Sequence, residues 1–348
     1  MTSHPARHSL HPLQPTSPKE PAQRASRRAR SASSHVGAAC LAVLLLAACG
    51  GAERPPAGEE GAAAGTAAVE DLDAYRAEIA GWQEGREEGL RRPGGWLTLV
   101  GLHWLEEGVN DLGADPMSDV VLPAQAPTRF GRVTLAEDGR MVLTLEPGVD
   151  ATVGGEPITG VELVPDVEGE PTTVELGSLR IYAIRRGAWS GLRVRDLESP
   201  ALAAFEGIDT FPVDPKWRVE ARLEPYDSPR MVDVPDVTGN AQPMASPGVL
   251  RFTLDGRELS LQAFEEGEEE LFLIFSDATS GKETYGAGRY LYTPKPDAGG
   301  TLVVDFNRAQ NPPCAFTPYA TCPLPPAENR LEVAVAAGEK VYRGEGVH

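Results

Sequence analysis

The sequence is poor in histidine, the residue most often used as a general base. It contains six histidines, and after residue 49 only His103 and the terminal His348 remain. Zinc sites with several histidines are therefore excluded, and any mechanism with a histidine base depends on His103. This residue lies within an apolar strand pattern, which favours a histidine of the core or its boundary over a catalytic one.

Motifs of several common site types are also missing. A hydrolase elbow of the form G-x-S-x-G does not occur, and Gly187–Gly191 has the wrong spacing. Ser280–Lys282 lacks the upstream glycine of a phosphate-binding loop, and no EF-hand pattern is found. We therefore expect no resident cofactor and no metal ion.

The sequence has one long apolar run, which covers residues 36–48 and follows a basic segment. A helix of that length measures about 20 Å, which is short of the roughly 30 Å of a hydrocarbon core. The run ends in L-A-A-C-G at residues 46–50, which resembles the lipobox of a bacterial lipoprotein signal peptide. The resemblance implies that residues 1–48 are removed, that a lipid is joined to Cys49, and that the protein is anchored at the cell envelope, facing the periplasm or the exterior.

Basic residues are few beside acidic ones, at 32 against 51, and the formal net charge is −19. Removal of residues 1–48 takes away six basic and one acidic residue, which leaves 26 against 50 and a charge of −24. Such a surface repels phosphate backbones and anionic headgroups, so we expect no nucleic-acid partner. The expected partners are the membrane, through the lipid on Cys49, and a small-molecule ligand.

Cysteine is scarce as well, with four in the chain. Cys40 belongs to the predicted signal peptide and Cys49 to the lipid, which leaves Cys314 and Cys322 in a proline-rich segment. An even pair in an oxidising compartment predicts a disulfide. The alternative is a redox-active or nucleophilic thiol with a lowered pKa, for which Arg308 is the nearest cation in the sequence.

Composition and periodicity divide the chain into five segments. They are a signal peptide at 1–48, a flexible tether at 49–68, an N-terminal helix at 69–93, a first β-domain at 94–204 and a second β-domain at 205–348. The helix is predicted by apolar residues at intervals of three and four, which share one helical face. They are Leu72, Tyr75, Ile79 and Trp82.

From residue 94 the sequence is dominated by short strand patterns and turn residues. Asp-Gly turns predict hairpins at Ala136–Arg140 and Leu254–Arg257, and Trp96–Val100 is a predicted strand. The fold class is therefore mostly β, with two β-sandwich or barrel-like domains behind one amphipathic helix. Gly108–Pro123 resembles the opening of a forkhead-associated β-sandwich but lacks the binding-loop residues that such domains use for phosphopeptides.

An arginine cluster lies in the first β-domain. Strand alternation places Arg193 and Arg195 on one face, with Arg185 shortly before them, and guanidinium groups bind carboxylates and phosphates bidentately. The alternative is a solvent-exposed face whose arginines pair with the many carboxylates of the chain.

Polar side chains are concentrated in the second β-domain, mainly in the proline-rich segment at 305–330. Prolines limit the freedom of this segment, so its polar groups can be held ready for a ligand. The alternative is that they satisfy the backbone of the segment itself. The candidate ligand-binding residues are Asp277, Arg289, Asn307, Arg308, Asn311 and Asn329.

Four specific motifs occur after residue 94. They are G-W-L-T-L-V-G-L-x-W-L at 95–105, D-x-T-S-G-x-E-T-Y at 277–285, D-F-N-R-A-x-N-P-P-C-A at 305–315 and C-P-L-P-P-x-E-N-R-L at 322–331. Together they resemble a broad microbial family of domains of unknown function, over residues 71–340. The resemblance implies no particular activity.

Two functions remain open. The first is an anchored module that binds a small polar or anionic ligand at the cell envelope through the arginines and polar loops. The second is a hydrolase or transferase in which a carboxylate acts as base and arginines stabilise an oxyanion. Its candidate carboxylates are Glu283, Asp305 and Glu328.

Lipidation of Cys49 is directly testable. Mass spectrometry of the membrane-extracted protein should find an N-terminal Cys49 peptide that carries acyl chains, because cleavage before this cysteine makes it the first mature residue. Cys49→Ala should release soluble protein from the membrane fraction. Recovery of a membrane-bound but unprocessed chain would contradict the prediction.

Overall fold

The computed structural model describes residues 65–344. The predicted signal peptide, the lipidation at Cys49 and most of the tether lie outside these residues. Within the described part, no helix combines the length and the apolar character that a membrane crossing requires.

Strands dominate the regular structure of the described chain. Its α-helices are α1 (Leu72–Arg91) and α2 (Pro200–Ala204). The strands before α2 are β1 (Leu99–Trp104), β2 (Gly108–Gly113), β3 (Val120–Val121), β4 (Gly131–Leu135), β5 (Met141–Leu145), β6 (Thr152–Val153), β7 (Glu156–Pro157), β8 (Gly160–Glu162), β9 (Thr173–Leu176), β10 (Leu179–Arg186) and β11 (Trp189–Asp196). The strands after α2 are β12 (Arg218–Pro235), β13 (Ala241–Leu254), β14 (Arg257–Glu266), β15 (Glu270–Phe275), β16 (Arg289–Pro294) and β17 (Thr301–Asp305).

The N-terminal amphipathic helix is confirmed as α1. Its N-cap is Asp71, whose carboxylate accepts two backbone N–H groups of the first turn, each at 3.0 Å. Only part of the predicted apolar face is buried, since Leu72 is exposed and Trp82 is half-buried. The buried residues of the helix are Tyr75, Ile79 and Leu90.

Strands β1–β11 form two facing sheets. One has the order β1-β11-β10-β9-β6-β7 and the other the order β3-β2-β4-β5-β8. Apolar residues at alternate positions are buried between the sheets, including Val133 from one sheet and Leu192 and Val194 from the other. The predicted hairpin at Ala136–Arg140 is confirmed as the turn between β4 and β5.

Strands β12–β17 form one curved sheet with the order β16-β15-β14-β13-β12-β17. Its two edge strands approach each other, and the Thr293 hydroxyl on β16 donates to the Val303 carbonyl on β17 at 2.7 Å. The sheet is thereby nearly closed into a barrel. The second predicted hairpin is also confirmed, because Asp255 (φ 49°) and Gly256 (φ 72°) have the positive φ angles of a type I′ turn.

The segment at residues 306–344, here called the C-terminal segment, contains no β-strand. It nevertheless contributes to the barrel core through Leu331, Val333 and Val335. The predicted fold class, mostly β with one long helix, is confirmed by these sheets. The division into two domains near residue 205 stays a prediction.

The predicted strand at Trp96–Val100 is wrong in its first half, which is a 3₁₀ turn at Trp96–Thr98. The reason is the tight passage from α1 into β1. A Cβ atom on Gly95 would lie 2.1 Å from the Leu90 carbonyl oxygen, so only glycine allows this approach. The turn directs the Trp96 ring toward Arg193 and Arg195 of β11.

Tyr75 connects α1 to the barrel. Its hydroxyl donates to the Asp305 carboxylate at 2.8 Å and accepts from the Asn307 side-chain amide at 2.9 Å. Burial, and then the charge of Asp305, raise the pKa of Tyr75 above its ordinary value. The hydroxyl is therefore protonated and donates to the carboxylate.

Tyr75→Phe should lower the free energy of unfolding by about 1–3 kcal/mol, because it leaves polar groups on the barrel without their partner. Urea unfolding followed by tryptophan fluorescence measures this change. Tyr319→Phe is the control, since the Tyr319 hydroxyl makes no hydrogen bond to a described residue, and it should change stability by less than about 0.5 kcal/mol. Equal losses in the two variants would contradict the role of Tyr75.

Candidate functional site

Asp277 and Arg289, two of the predicted ligand-binding residues, form an ion pair inside the fold. Arg289 Nη2 donates to Asp277 Oδ2 at 2.8 Å, and both side chains are 0% exposed. Arg289 also donates to the carbonyls of Val335 at 2.8 Å and of Ala337, and Asp277 accepts from the Val335 N–H at 3.2 Å. The pair therefore attaches the C-terminal segment to the barrel.

The three predicted asparagines are buried and bind backbone groups. Asn329 donates to two carbonyls, each at 2.9 Å, and accepts an N–H group at 2.7 Å. Asn307 donates to the Asp214 carbonyl at 3.0 Å, and Asn311 donates to the Lys340 carbonyl at 2.7 Å. These amides thus hold the C-terminal segment against the rest of the fold and satisfy buried backbone groups.

The three candidate catalytic carboxylates do not form a common site. Asp305 accepts from the Tyr75 hydroxyl, while Glu283 and Glu328 are exposed to solvent. None of the three lines the cavity of about 500 Å³ that contains Arg193. Within residues 65–344, no group of three or more His, Cys, Asp or Glu side chains is arranged to hold a metal ion.

Residues of β11 alternate between the two faces of their sheet. Leu192 and Val194 belong to the sandwich core, so Arg193 and Arg195 lie on the opposite face, as the sequence predicts. Trp96 covers both arginines, whose guanidinium carbons are 5.6 and 5.7 Å from the centre of its ring. The aromatic ring partly compensates both cations.

Arg185 and Arg195 have hydrogen-bond partners in the part of the chain that contains strands β1–β11. Arg185 Nη1 lies 2.5 Å from Glu168 Oε1, and its Nη2 donates to the Gly139 carbonyl at 2.9 Å. Arg195 Nη1 donates to the Gly95 carbonyl at 2.6 Å, and its Nε donates to the Tyr182 hydroxyl at 3.2 Å. Both side chains thus stabilise the fold.

Arg193 lacks a counter-ion among the described residues. It is only 5% exposed, and its Nη2 donates to the Thr321 hydroxyl at 3.0 Å. Its Nε atom is buried and has no hydrogen-bond acceptor in the described part of the chain. Burial lowers the pKa of Arg193 below its ordinary 12.5, although a guanidinium keeps its charge in proteins. A buried cation without a counter-ion is costly and requires an explanation.

A cavity of about 500 Å³ explains what Arg193 can do. It lies between the β11 face and the proline-rich part of the C-terminal segment, and we call it the Arg193 cavity. Its apolar walls are formed by Trp96, Val167, Pro243, Tyr290 and Pro323. Its polar groups, apart from the arginines, come from Asp166, Gln242, Thr321 and Cys322.

The charged groups of the Arg193 cavity leave one positive charge unbalanced. Arg186 is neutralised by Asp166 through two hydrogen bonds of 2.9 and 2.7 Å. Arg185 is neutralised by Glu168. The Thr321 hydroxyl accepts hydrogen bonds from both arginines, at 3.0 Å from Arg193 Nη2 and at 3.4 Å from Arg186 Nε. This arrangement is suited to a carboxylate or phosphate.

Cys314 and Cys322 are free thiols, so the predicted disulfide is not seen. Both are buried, and the Cys314 backbone N–H donates to Cys322 Sγ at 3.0 Å. The Cys322 sulfur thus acts as a hydrogen-bond acceptor within the loop. Arg308, the cation expected beside these thiols, instead pairs with Glu78 on α1.

Sequence patterns did not identify Trp96 and Thr321 as cavity residues, while Arg186 directly follows Arg185 in the arginine cluster. Trp96 lies in the first motif and Thr321 directly precedes the fourth, and the cavity residues Pro313 and Cys322 belong to the third and fourth motifs. Segments more than two hundred residues apart in sequence therefore meet at one cavity. Motif residues that converge in space would have identified it.

His103 lies at a second cavity of about 620 Å³, together with Asp196 and Tyr319. Burial lowers the pKa of His103, which keeps the imidazole neutral at pH 7. Asp196 accepts a hydrogen bond from the Gln125 amide at 2.7 Å. We interpret His103 as a boundary histidine, as the sequence pattern indicates.

The ion pair of Asp277 and Arg289 should be a major determinant of stability. Asp277→Asn keeps the side-chain shape but leaves a buried guanidinium without a counter-charge, so unfolding should be easier by about 3–5 kcal/mol. Glu224→Gln is the matched control, since its partner Arg251 and Glu224 are 57% and 58% exposed. It should cost less than about 1 kcal/mol in the same urea titration. A small loss in Asp277→Asn would refute the assignment.

The family model described as "Protein of unknown function (DUF1684)" matches residues 203–340. An uncharacterized protein of Haloarcula marismortui with a known solution structure is 36% identical in sequence, with a TM-score of 0.34. That alignment covers 39% of this chain and 77% of the archaeal protein. No curated protein matches the chain.

Two further solved structures are similar at lower identity. A forkhead-associated domain from a study of phosphothreonine-dependent interactions is 19% identical, with a TM-score of 0.20, and the match covers 28% of this chain and 96% of that domain. A structure of Rad53 with AMP-PNP is 10% identical, with a TM-score of 0.14 and coverages of 58% and 48%. At these TM-scores neither likeness bears on function. The identity and coverage of the archaeal relative, with the family match, show that the chain belongs to the DUF1684 family of proteins of unknown function.

Proposed function

We propose that this protein is a lipid-anchored module of the cell envelope that binds a small anionic molecule in the Arg193 cavity. The observation that carries the proposal is the burial of Arg193 without a carboxylate partner among the described residues. The chain has 51 acidic residues against 32 basic ones, so carboxylates are in excess. Because Arg193 forms no ion pair with any of the described carboxylates, its charge is available for an anion from solution.

The geometry of Arg193 favours a carboxylate or a phosphate. Charge-assisted hydrogen bonds to a guanidinium are among the strongest in proteins, and they gain strength where water is excluded. The Thr321 hydroxyl and the Trp96 ring already hold the guanidinium in place. Little side-chain entropy therefore remains to be lost when an anion binds.

The walls of the cavity restrict the rest of the ligand. Trp96, Tyr290 and the prolines offer apolar surface, and only the Arg193 charge is unbalanced. A single positive charge beside apolar walls favours a ligand with one negative charge and a compact apolar part. We therefore infer that a monocarboxylate with an aliphatic or aromatic body is the preferred class.

The envelope location rests on the lipobox-like residues 46–50, which lie outside the described residues. A tether at 49–68 rich in Gly, Ala, Pro and Glu would allow the folded part to stand away from the bilayer. The acidic surface of the folded part is repelled by anionic headgroups. This repulsion supports a solute rather than a lipid as the ligand of the cavity. We propose the lipid on Cys49 as the membrane attachment.

The alternative of a hydrolase or transferase has less support. Of its candidate carboxylates, Asp305 is bonded to Tyr75, and Glu283 and Glu328 are exposed away from the cavity. Asp166, which does line the cavity, is held by Arg186. A general base with an open lone pair beside Arg193 is therefore not among the described carboxylates.

Arg193→Gln tests the proposal with benzoate and phenyl phosphate as probes. Both should raise the thermal midpoint of the wild-type protein, because a ligand that binds only the native state stabilises it. Isothermal titration should show benzoate binding weakened by about tenfold to a hundredfold in Arg193→Gln, which corresponds to the roughly 1.5–3 kcal/mol of a charged hydrogen bond.

Arg180→Gln is the matched control for this experiment. It removes the same charge from β10 of the same sheet, where Arg180 lies 3.7 Å from Glu175. The variant should keep benzoate affinity within about twofold of the wild type, because a partly exposed ion pair contributes little. No thermal shift with either probe, or equal losses in both variants, would disprove the proposal.

A further inference from the structure

The two free thiols of the C-terminal segment belong to neighbouring residues in the fold, and one of them, Cys322, lines the Arg193 cavity. The Cys314 N–H donates to Cys322 Sγ at 3.0 Å, and Cys322 lines the cavity beside Thr321. Tyr290, also on the cavity wall, donates its hydroxyl to the carbonyl of Pro323, the next residue after Cys322. The dithiol is thus fixed in position at the end of the cavity that holds the unbalanced arginine.

The protons of the pair are unequally held. A hydrogen bond from the Cys322 thiol lowers the pKa of Cys314, whereas burial and the neighbouring sulfur raise the pKa of Cys322. Cys314 therefore ionises first, and its thiolate is in contact with the Cys322 S–H group. Dithiols of this kind, one thiol ionising easily and the other protonated, suit thiol–disulfide exchange.

We propose that Cys314 and Cys322 form a redox-active dithiol that exchanges with small disulfides carrying a carboxylate, admitted through the Arg193 cavity. The preference for an anionic substrate rests on the proposed function of the cavity. The dithiol chemistry itself rests on the hydrogen bond from the Cys314 backbone N–H to the Cys322 sulfur and on the cavity position of Cys322. A purely structural disulfide and a pair of inert buried thiols are the competing interpretations.

The exchange has two steps. Cys314 first releases its proton to solvent. As the Cys322 sulfur attacks one sulfur of the substrate, the Cys322 proton passes to the Cys314 thiolate, the substrate S–S bond breaks, and the departing thiolate takes up a solvent proton. In the second step Cys314 loses its proton again and attacks the Cys322 sulfur, which breaks the mixed disulfide and releases the second thiol. Two electrons and two protons pass from the dithiol to the substrate, which leaves as two thiols.

The cavity explains why substrate charge should matter. Arg193 is the cation of the cavity wall that has no ion-pair partner. It donates a hydrogen bond to Thr321, the residue directly before Cys322. A carboxylate bound at Arg193 would hold an attached disulfide close to the Cys322 sulfur. The acidic surface outside repels anions in general, so the local positive charge decides which disulfides reach the thiol.

The redox state can be measured on one peptide of the full lipidated chain. Trypsin releases residues 309–330, which contain both cysteines and no internal lysine or arginine. The protein is equilibrated with mixtures of reduced and oxidised glutathione and then alkylated. As the mixture becomes more oxidising, the peptide should change from a form with two alkylated cysteines to an unalkylated disulfide, which is two hydrogen atoms lighter than the unmodified dithiol peptide. Alkylation of both cysteines in every mixture would show inert thiols, and a disulfide that persists in the most reducing mixture would show a structural bond. Either result overturns the proposal.

The substrate class is tested by three disulfides of different charge. Dithiodipropionate should oxidise the wild-type protein about tenfold faster than cystamine does, after each rate is divided by that for a free model thiol. Arg193→Gln should remove this preference, whereas Arg180→Gln should keep both the preference and the rate with neutral bis(hydroxyethyl) disulfide. Cys314→Ser should slow formation of the mixed disulfide on Cys322, because the variant lacks the base, and any mixed disulfide that forms should persist because the resolving thiol is missing.

The outcomes separate the two proposals. Oxidation by all three disulfides without a charge preference would overturn the anionic substrate class and would count against the anion site as well. Benzoate binding without oxidation by any of the disulfides would leave the anion site intact and overturn the dithiol activity.

Discussion

The structure depends on how the C-terminal segment satisfies its backbone without a β-strand. Residues 306–344 cover the barrel and complete its core, yet they form no ladder with a neighbouring strand. Its backbone groups bond instead to isolated main-chain partners, such as Ser276 and Tyr290, and to side chains. Arg289 and Asn311 donate to carbonyls of the segment, and Glu339 accepts the Asn311 N–H at 2.6 Å. Asn329 bonds in the other direction, to carbonyls of β14 and β15. Polar side chains that resemble a binding site in the sequence are thus consumed by the fold.

This requirement is also what isolates Arg193. Asp166, the carboxylate that lines the cavity, is paired with Arg186. The segment then covers the outer face of β11, which in an isolated sandwich would be open to water. Arg193 is buried by this covering chain rather than by its own sheet, and its charge is left facing a partly apolar space. The Arg193 cavity is thus a consequence of the packing of the C-terminal segment against the sheet that contains β11.

Local sequence signals predicted local structure well. The periodicity around Tyr75 gave a helix, and the Asp-Gly turn at Leu254–Arg257 gave a hairpin, because both depend on neighbouring residues only. Alternation likewise put Arg193 and Arg195 on one face. The sequence could not separate these two arginines, since the difference lies in Thr321, more than one hundred residues away. Nor could it show that Asn329 bonds to strands β14 and β15 rather than to a ligand.

The same long-range packing gives the motifs of the chain a physical reason to occur together. Gly95 permits the turn that directs Trp96 to the arginines, and the segment around Pro313 and Cys322 closes the cavity from the other side. A change in the loop would therefore move Thr321, loosen the Arg193 guanidinium and shift the Cys322 sulfur together. The proposed anion binding and the proposed thiol chemistry therefore both depend on the position of one short stretch of chain. Because that stretch is held by hydrogen bonds from Tyr285 and Tyr290 to the carbonyls of Cys314 and Pro323, the barrel sets the geometry of both.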